Sequence, residues 1–171
     1  MQKITPFLWY DTQAEEAINF YTSIFSAAGG SASGGKNSKV GSTSRYDETG
    51  AAASGRPKGS VMTASFQLNG QDFTAINGGP HFKFTEAISF VVNCENQEEV
   101  DYYWEKLSAV PQSEMCGWLK DKYGLSWQIV PTVLSKLLTD KDAKKSQRVM
   151  QAMLQMKKIN IAELEKAYKE Q

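Results

Sequence analysis

Two hydrophobic patterns alternate along this chain, short β-like apolar runs and stripes at helical spacing. "KITPFLWY" has the character of a strand, and "DTQAEEAINFYTSIF" follows with Ala14, Ala17, Ile18, Tyr21 and Phe25 on one helical stripe. Thr12 and Glu15 have capping-box spacing and predict where that helix begins. "AISFVVNC" is again a strand pattern, and "ENQEEVDYYWEKLSAV" carries Val100, Tyr103, Trp104 and Leu107 on one face, behind Asn96 as cap and Glu99 as its partner. The unit occurs twice. At an offset of 83, Glu15-Glu16 falls on Glu98-Glu99, Ala17 on Val100 and Phe7 on Phe90, which predicts a duplicated strand–helix element.

Each helix pattern leads to a hairpin. "SVMTASFQL", "NG" and "QDFTAIN" predict two strands around a type I′ turn, and "CGWLKDKYGLSWQIV" predicts a second hairpin around Gly124. Gly70 aligned with Gly124 places Phe73 on Trp127 and Thr74 on Gln128, at an offset of 54, so the first half carries about 29 extra residues between helix and hairpin. That excess is rich in Gly, Ser and Ala, gains little from burial and predicts a flexible insertion over 26–59, within which "KVGSTSRYDE" is able to form a strand. After Val130 the pattern becomes helical. Pro131 opens "PTVLSKLL", "DAKKSQRVMQAMLQMKK" repeats apolar residues at 149, 150, 153, 154 and 156, and "NIAELEKAYKE" has Asn160 and Glu163 at capping spacing. Three short helices are predicted over 132–171, with Met150, Met153 and Met156 packing in a core or at a dimer contact.

Composition narrows the function classes. With 171 residues the chain supports one buried core or two small modules. Lys+Arg and Asp+Glu number 19 each, so no basic surface points to nucleic acid. Apolar runs such as "ISFVV" fall well short of the roughly 20 residues that span a bilayer, and "MQKITPF" lacks a basic region followed by an apolar one. The expectation is a soluble, cytoplasmic protein without a membrane partner. Cys94 and Cys116 form no CxxC pair and are expected as buried free thiols; a reactive Cys116 would need Lys120 or Lys122 beside it.

The stretches "ITPFLWYDTQAEEAINFY", "LNGQDFTAINGGPHFKFTEAISFVVNC", "CGWLKDKYGLSWQIVP" and "RVMQAMLQMKKI" resemble the PhnB-like family, often named after 3-demethylubiquinone-9 3-methyltransferase. That family lies within the vicinal oxygen chelate superfamily of glyoxalase I, bleomycin-resistance proteins and extradiol dioxygenases. The resemblance implies an α+β fold of paired βαβββ modules, here 1–80 and 84–131 within a domain 1–131, whose sheets curl around a shared cavity, with a helical extension over 132–171 and a homodimer as the assembly. Methyl transfer from S-adenosylmethionine would call for a glycine-rich turn between strand and helix, and the glycines here lie in the low-complexity stretch and the hairpins.

Metal-using relatives draw His, Gln and Glu ligands from the first and last strands of each module. The first strand here offers Ile4, Thr5, Pro6, Phe7 and Leu8; its counterpart offers Ser89 and, at its margin, Glu86. The glutamate positions of glyoxalase are occupied by Thr74 and Gln128, so neither a metal nor another cofactor is expected. Period-two alternation puts Met62, Ala64, Phe66 and Leu68 under the helix and leaves Thr63, Ser65 and Gln67 on the cavity side with Thr74, Ser126 and Gln128. Trp9 and Trp118 lie near strand ends, where a ring beside polar groups suits a flat ligand, and Asn77 completes the candidate ligand-binding set. His81, the single histidine, follows Gly78, Gly79 and Pro80; it is a turn residue or a rim imidazole able to move a proton. The leading expectation is a metal-free small-molecule-binding protein; a lyase or isomerase using His81 or a metal, and an antibiotic-sequestering protein, are the alternatives.

Overall fold

The computed structural model describes residues 2–28 and 37–170 and divides the chain into two compact units, Met1–Phe84 and Thr85–Gln171. The first unit runs β1 (Phe7–Tyr10), α1 (Ala14–Ala27), β2 (Lys39–Arg45), α2 (Glu48–Ser54), β3 (Val61–Leu68) and β4 (Gln71–Asn77). Its sheet has the order β1-β4-β3-β2, with β1 parallel to β4 and the other neighbours antiparallel. Helix α1 packs on β3 and β4, so its stripe of Ala17, Ile18, Tyr21 and Phe25 is buried together with Leu8, Tyr10, Ala64, Phe66, Phe73 and Ala75. Asn69 and Gly70 both take positive φ, 48° and 81°, as the type I′ hairpin requires.

The second unit runs β5 (Ser89–Cys94), α3 (Gln97–Leu107), a 3-10 turn (Pro111–Ser113), β6 (Trp118–Lys120) and β7 (Ser126–Pro131), and then the helices α4 (Thr132–Leu138), α5 (Ala143–Leu154) and α6 (Ile161–Lys169). Its sheet has the order β5-β7-β6 and corresponds strand for strand to β1-β4-β3. The counterpart of β2 is missing among the described residues, because only residues 108–117 separate α3 from β6 and Pro111 folds part of them into the 3-10 turn. The chain is thus α+β, a βαβββ module followed by a shorter βαββ module and three helices. Those helices belong to the second unit: Leu134, Leu137, Val149, Ile159 and Leu164 form a core of their own, joined by Met153 and Met156, while Met150 stays exposed.

Strand pairing refines the duplication. Phe7 pairs with Thr74 and Val91 with Gln128, so Phe7 corresponds to Val91 rather than to Phe90, an offset of 84 in the strands. The helix caps keep the offset of 83, since Gln13 and Asn96 hold equivalent places. The connection explains the step: Asp11, Thr12 and Gln13 join β1 to α1, whereas Glu95 and Asn96 alone join β5 to α3. In a strand one residue of slip exchanges the two faces, which is why Phe7 is exposed and Phe90 is not.

The capping signals diverge in the same place. Asn96 accepts from the Glu99 amide at 3.0 Å and Glu99 Oε2 from the Glu95 amide at 2.8 Å, completing a capping arrangement on α3. Thr12 does not cap α1; Gln13 holds the cap position without a side-chain bond, and the Ala14 amide donates instead to Asn77 Oδ1 at 2.8 Å. Within 26–59, residues 29–36 lie outside the described residues. Beyond them "KVGSTSR" forms β2 and "ETGAAAS" forms α2, capped by Asp47, with Tyr46 buried between them and donating its hydroxyl to the Asn77 carbonyl at 2.8 Å. Among the described residues no helix is long and apolar enough to cross a membrane.

Candidate functional site

Each sheet buries one face under its helix and leaves the other open. On the open face of the first sheet the register sets three rows across β2, β3, β4 and β1: Lys39, Gln67 and Asp72; then Ser65, Thr74 and Phe7; then Ser44, Thr63, Ile76 and Trp9. The first two rows border a cleft of about 380 Å³ whose walls include Lys39, Gly41, Ser65, Gln67, Asp72 and Thr74. Gln67 Nε2 donates to Asp72 Oδ1 at 2.5 Å, so the carboxylate is fixed while Lys39 holds the opposite wall. A cation and an anion two strands apart, with Gln67 between them and the Thr74 hydroxyl in the next row beside Asp72, fit a small polar molecule that carries donors and acceptors at its two ends.

Several expected ligand-binding residues already have structural work on this face. Ser65 Oγ accepts from the Ser42 amide at 2.8 Å and lies 3.1 Å from Ser42 Oγ, and Ser44 Oγ lies 2.7 Å from Thr63 Oγ1. These hydroxyls hold β2 to β3 across the register shifts in that pair. Gly41 is needed there, since a Cβ would come 2.4 Å from Ser65 Oγ. Asn77 points away from the cleft, into the core: Oδ1 takes the Ala14 amide and Nδ2 donates to the Val61 carbonyl at 3.1 Å. Its β4 parity with Phe73 and Ala75 dictates this, and the place of Thr74 on the other face follows from the same alternation.

Trp9 ends the third row. Its indole N–H donates to the Gly79 carbonyl at 2.8 Å, and Phe82 meets its ring edge-on at 4.9 Å between centroids. His81 lies in this turn, exposed and outside the cleft lining; a Cβ on Gly79 would lie 3.6 Å from its Cδ2 and 3.3 Å from Arg56 Nη1. Arg56 in turn bonds Asp11 at 3.0 Å. The side chains around His81 are therefore those of a packed chain reversal.

The open face of the second sheet carries Trp118 opposite Gln128 and Lys120 opposite Ser126, with Ser89 beside Ser126 on β5. Gln128 Nε2 donates to Ser89 Oγ at 2.9 Å, and Lys120 pairs with Glu86, whose carboxyl is held below its ordinary range by that hydrogen bond. On the helix side of the hairpin, buried Asp121 receives the Tyr123 and Leu125 amides at 2.8 and 3.0 Å and Trp127 Nε1 at 2.8 Å. This anchor was missed in the sequence, although an Asp three residues before a turn glycine is a recognisable signal. Lys39 and Asp72 were missed too, one lying in the Gly/Ser-rich stretch and the other beside a turn.

Among the described residues no three His, Cys, Asp or Glu side chains converge where they could hold a metal ion. Cys94 is buried, and burial pushes its thiol up to about 12, with the negative charge of Glu99 adding to the effect. Cys116 is half-buried at a positive φ of 51°, its amide donating to the Met156 carbonyl at 2.8 Å.

Residues 2–130 match the family described as 3-demethylubiquinone-9 3-methyltransferase. The PhnB protein of Bacillus cereus is 41% identical, covering 77% of this chain and 100% of that one with a TM-score of 0.59. Protein PA1353 of Pseudomonas aeruginosa shares the fold at 16% identity, covering 77% and 98% of the two chains with a TM-score of 0.51. A glyoxylase/bleomycin resistance protein/dioxygenase domain from a Frankia species is 14% identical, covering 77% and 92%, with a TM-score of 0.45. Comparison with curated proteins finds no match.

Proposed function

Because the chain belongs to the 3-demethylubiquinone-9 3-methyltransferase family, the PhnB-like branch of the glyoxalase/bleomycin resistance superfamily, we propose that it is a metal-free protein that binds a small polar molecule. The observation that carries this reading is the cleft of about 380 Å³ on the first sheet, lined by Lys39, the Gln67-held Asp72 and, beside Asp72 on β4, Thr74. Methyl transfer from a nucleoside-bearing donor does not fit the residues. None of the strand-to-helix connections among the described residues, Asp11-Thr12-Gln13, Tyr46-Asp47, Glu95-Asn96 and the direct step from Pro131 to Thr132, contains a glycine that would let a backbone approach such a cofactor. An enzymatic role for His81 draws no support from its exposed place outside the cleft lining.

The test is a thermal-shift screen of small polar metabolites on protein purified without an affinity tag and checked for metals by elemental analysis. Compounds that raise the melting temperature of the native chain should lose that effect on Thr74→Trp, which fills the cleft from the open face and leaves the core intact. Hits that stabilise both proteins equally, or stoichiometric zinc, nickel, iron or manganese, would sink the reading.

Self-association is the second part of the proposal. Strands β1 and β5 are sheet edges, and each, with the residues leading into it, exposes an apolar pair at matched positions: Ile4 and Phe7, 85% and 58% exposed, and Ile88 and Val91, 70% and 50% exposed. Exposed apolar edges favour pairing with another chain. Sedimentation over a wide concentration range should show a homodimer, and Phe7→Lys should shift it towards monomer; a native chain that stays monomeric throughout contradicts this.

A further inference from the structure

The hydroxyl of Ser126 is the one buried side-chain nitrogen or oxygen among the described residues without a hydrogen-bond partner, in a residue 1% exposed. A hydroxyl taken out of water and left unpaired is costly, so its presence in a folded sheet points to a partner of another kind. Its neighbours are the hydroxyl of Ser89 beside it on β5, which accepts from Gln128 Nε2 at 2.9 Å, and a lysine. Lys120 stands directly opposite on β6, and Gln128, two residues along β7, stands opposite Trp118. The Lys120 side chain is 20% exposed, and its ammonium is turned towards Glu86, which is 62% exposed.

The duplication supplies an internal comparison. Ser126 and Lys120 face each other across their hairpin as Asp72 and Gln67 do across theirs, and Thr74 corresponds to Gln128 in the same register. In the first sheet the pair is closed, since the Gln67 amide satisfies Asp72 at 2.5 Å. In the second sheet the acidic member is replaced by a hydroxyl and the amide by an ammonium. That ammonium serves an exposed carboxylate instead of the hydroxyl. Where one module joins its facing pair, the other turns its ammonium outward to Glu86 and leaves the hydroxyl unpaired, and a single carboxylate placed between them satisfies both. Trp118 adds a flat apolar surface on the same face.

We propose that the open face of the second sheet binds the carboxylate of a small planar organic acid, held by the Lys120 ammonium and the Ser126 hydroxyl with the body of the acid against Trp118. Binding exchanges one carboxylate for another: Lys120 leaves Glu86, uncovers Ser126 and turns to the ligand. The site lies wholly within Thr85–Gln171 and stands whether or not the first-sheet cleft takes a ligand.

The experiment is a titration of the isotope-labelled full chain with benzoate, followed by its backbone amide resonances, with benzamide as the uncharged counterpart. Saturable shifts are expected at Trp118, Lys120 and Ser126, with benzamide weaker by roughly tenfold or more. Lys120→Met should weaken benzoate by a similar factor, and Glu86→Gln, a change at an exposed side chain, should tighten it several-fold by releasing Lys120. Ser126→Ala should weaken benzoate while leaving the melting temperature unchanged or raised, because it deletes an unpaired group. The proposal is overturned by no saturable shift, by equal affinity for benzamide, or by shifts confined to Gln67, Asp72 and Thr74. It is equally overturned if Ser126→Ala lowers the melting temperature and leaves benzoate affinity intact, since the hydroxyl would then serve the fold alone.

Discussion

The ring of Trp9 occupies the space a side chain on Gly78 would need: a Cβ there would lie 2.2 Å from Trp9 Cζ2. Gly78 continues the β1–β4 ladder, its amide donating to the Tyr10 carbonyl at 2.9 Å, so the backbone cannot retreat without losing that bond. Gly78→Ala is expected to cost about 2 kcal/mol or more, in the range of overpacked sites. Urea denaturation measures it, and the same substitution in a Trp9→Leu background should cost clearly less. Equal costs in both backgrounds would show that the ring is not the obstacle.

Asn77→Ala should be among the more damaging polar changes in the chain. It removes the acceptor of the Ala14 amide and the donor to the Val61 carbonyl inside the core, and each buried group left unpaired costs about 1–3 kcal/mol. A loss near 3 kcal/mol in urea denaturation is expected, with shortened protection of the first turn of α1 in hydrogen exchange. A loss under about 0.5 kcal/mol, the size usual for surface positions, would contradict the anchoring role.

The two thiols should separate by reactivity. Cys94 is 0% exposed and Cys116 half-buried, so a thiol reagent at pH 8 should label Cys116 in the folded chain and Cys94 only after unfolding. The raised Cys94 value also has a sign in stability. An unfolded thiol ionises near 9.0 and the folded one near 12, so the protonated folded form is favoured below pH 9 and loses that advantage as pH rises from 9 to 12. Relative to the native chain, Cys94→Ala should lose less stability between pH 9 and 11; parallel curves would refute the assignment.

His81→Ala is expected to change stability by about 0.5 kcal/mol or less, since the imidazole is exposed in the turn after β4. Any ligand found by thermal shift should bind the variant as it binds the native chain. A variant that folds normally and loses ligand or turnover would move His81 into the site.

Elements whose signals are local were legible in the sequence. The Asn69-Gly70 hairpin, the Asn96 and Asn160 caps and the three terminal helices each depend on residues a few positions apart, and each formed as expected. Period-two alternation likewise placed Thr63, Ser65, Gln67 and Thr74 together, and Ser126 with Gln128, and within each sheet these residues do share the face turned away from the helix. What escaped depends on partners distant in sequence. Asn77, 63 positions from Ala14, displaced Thr12 as the cap, and Ser65, 23 positions from Ser42, was taken up by β2. The strand offset escaped because one residue fewer between β5 and α3 leaves the helix pattern aligned while exchanging the faces of the strand.

Strand β2 has no counterpart in the second module, whose three strands already form a complete ladder. Its attachment drew in Ser65 and Thr63 from β3, made Gly41 obligatory, and brought Tyr46 onto the Asn77 carbonyl. Deleting it would not restore a simpler module, because it would strip hydroxyls of their partners and open the edge of β3. The strand is thus a condition for its neighbours, since Ser65, Thr63 and the Asn77 carbonyl all take partners from it or from the residue that follows it.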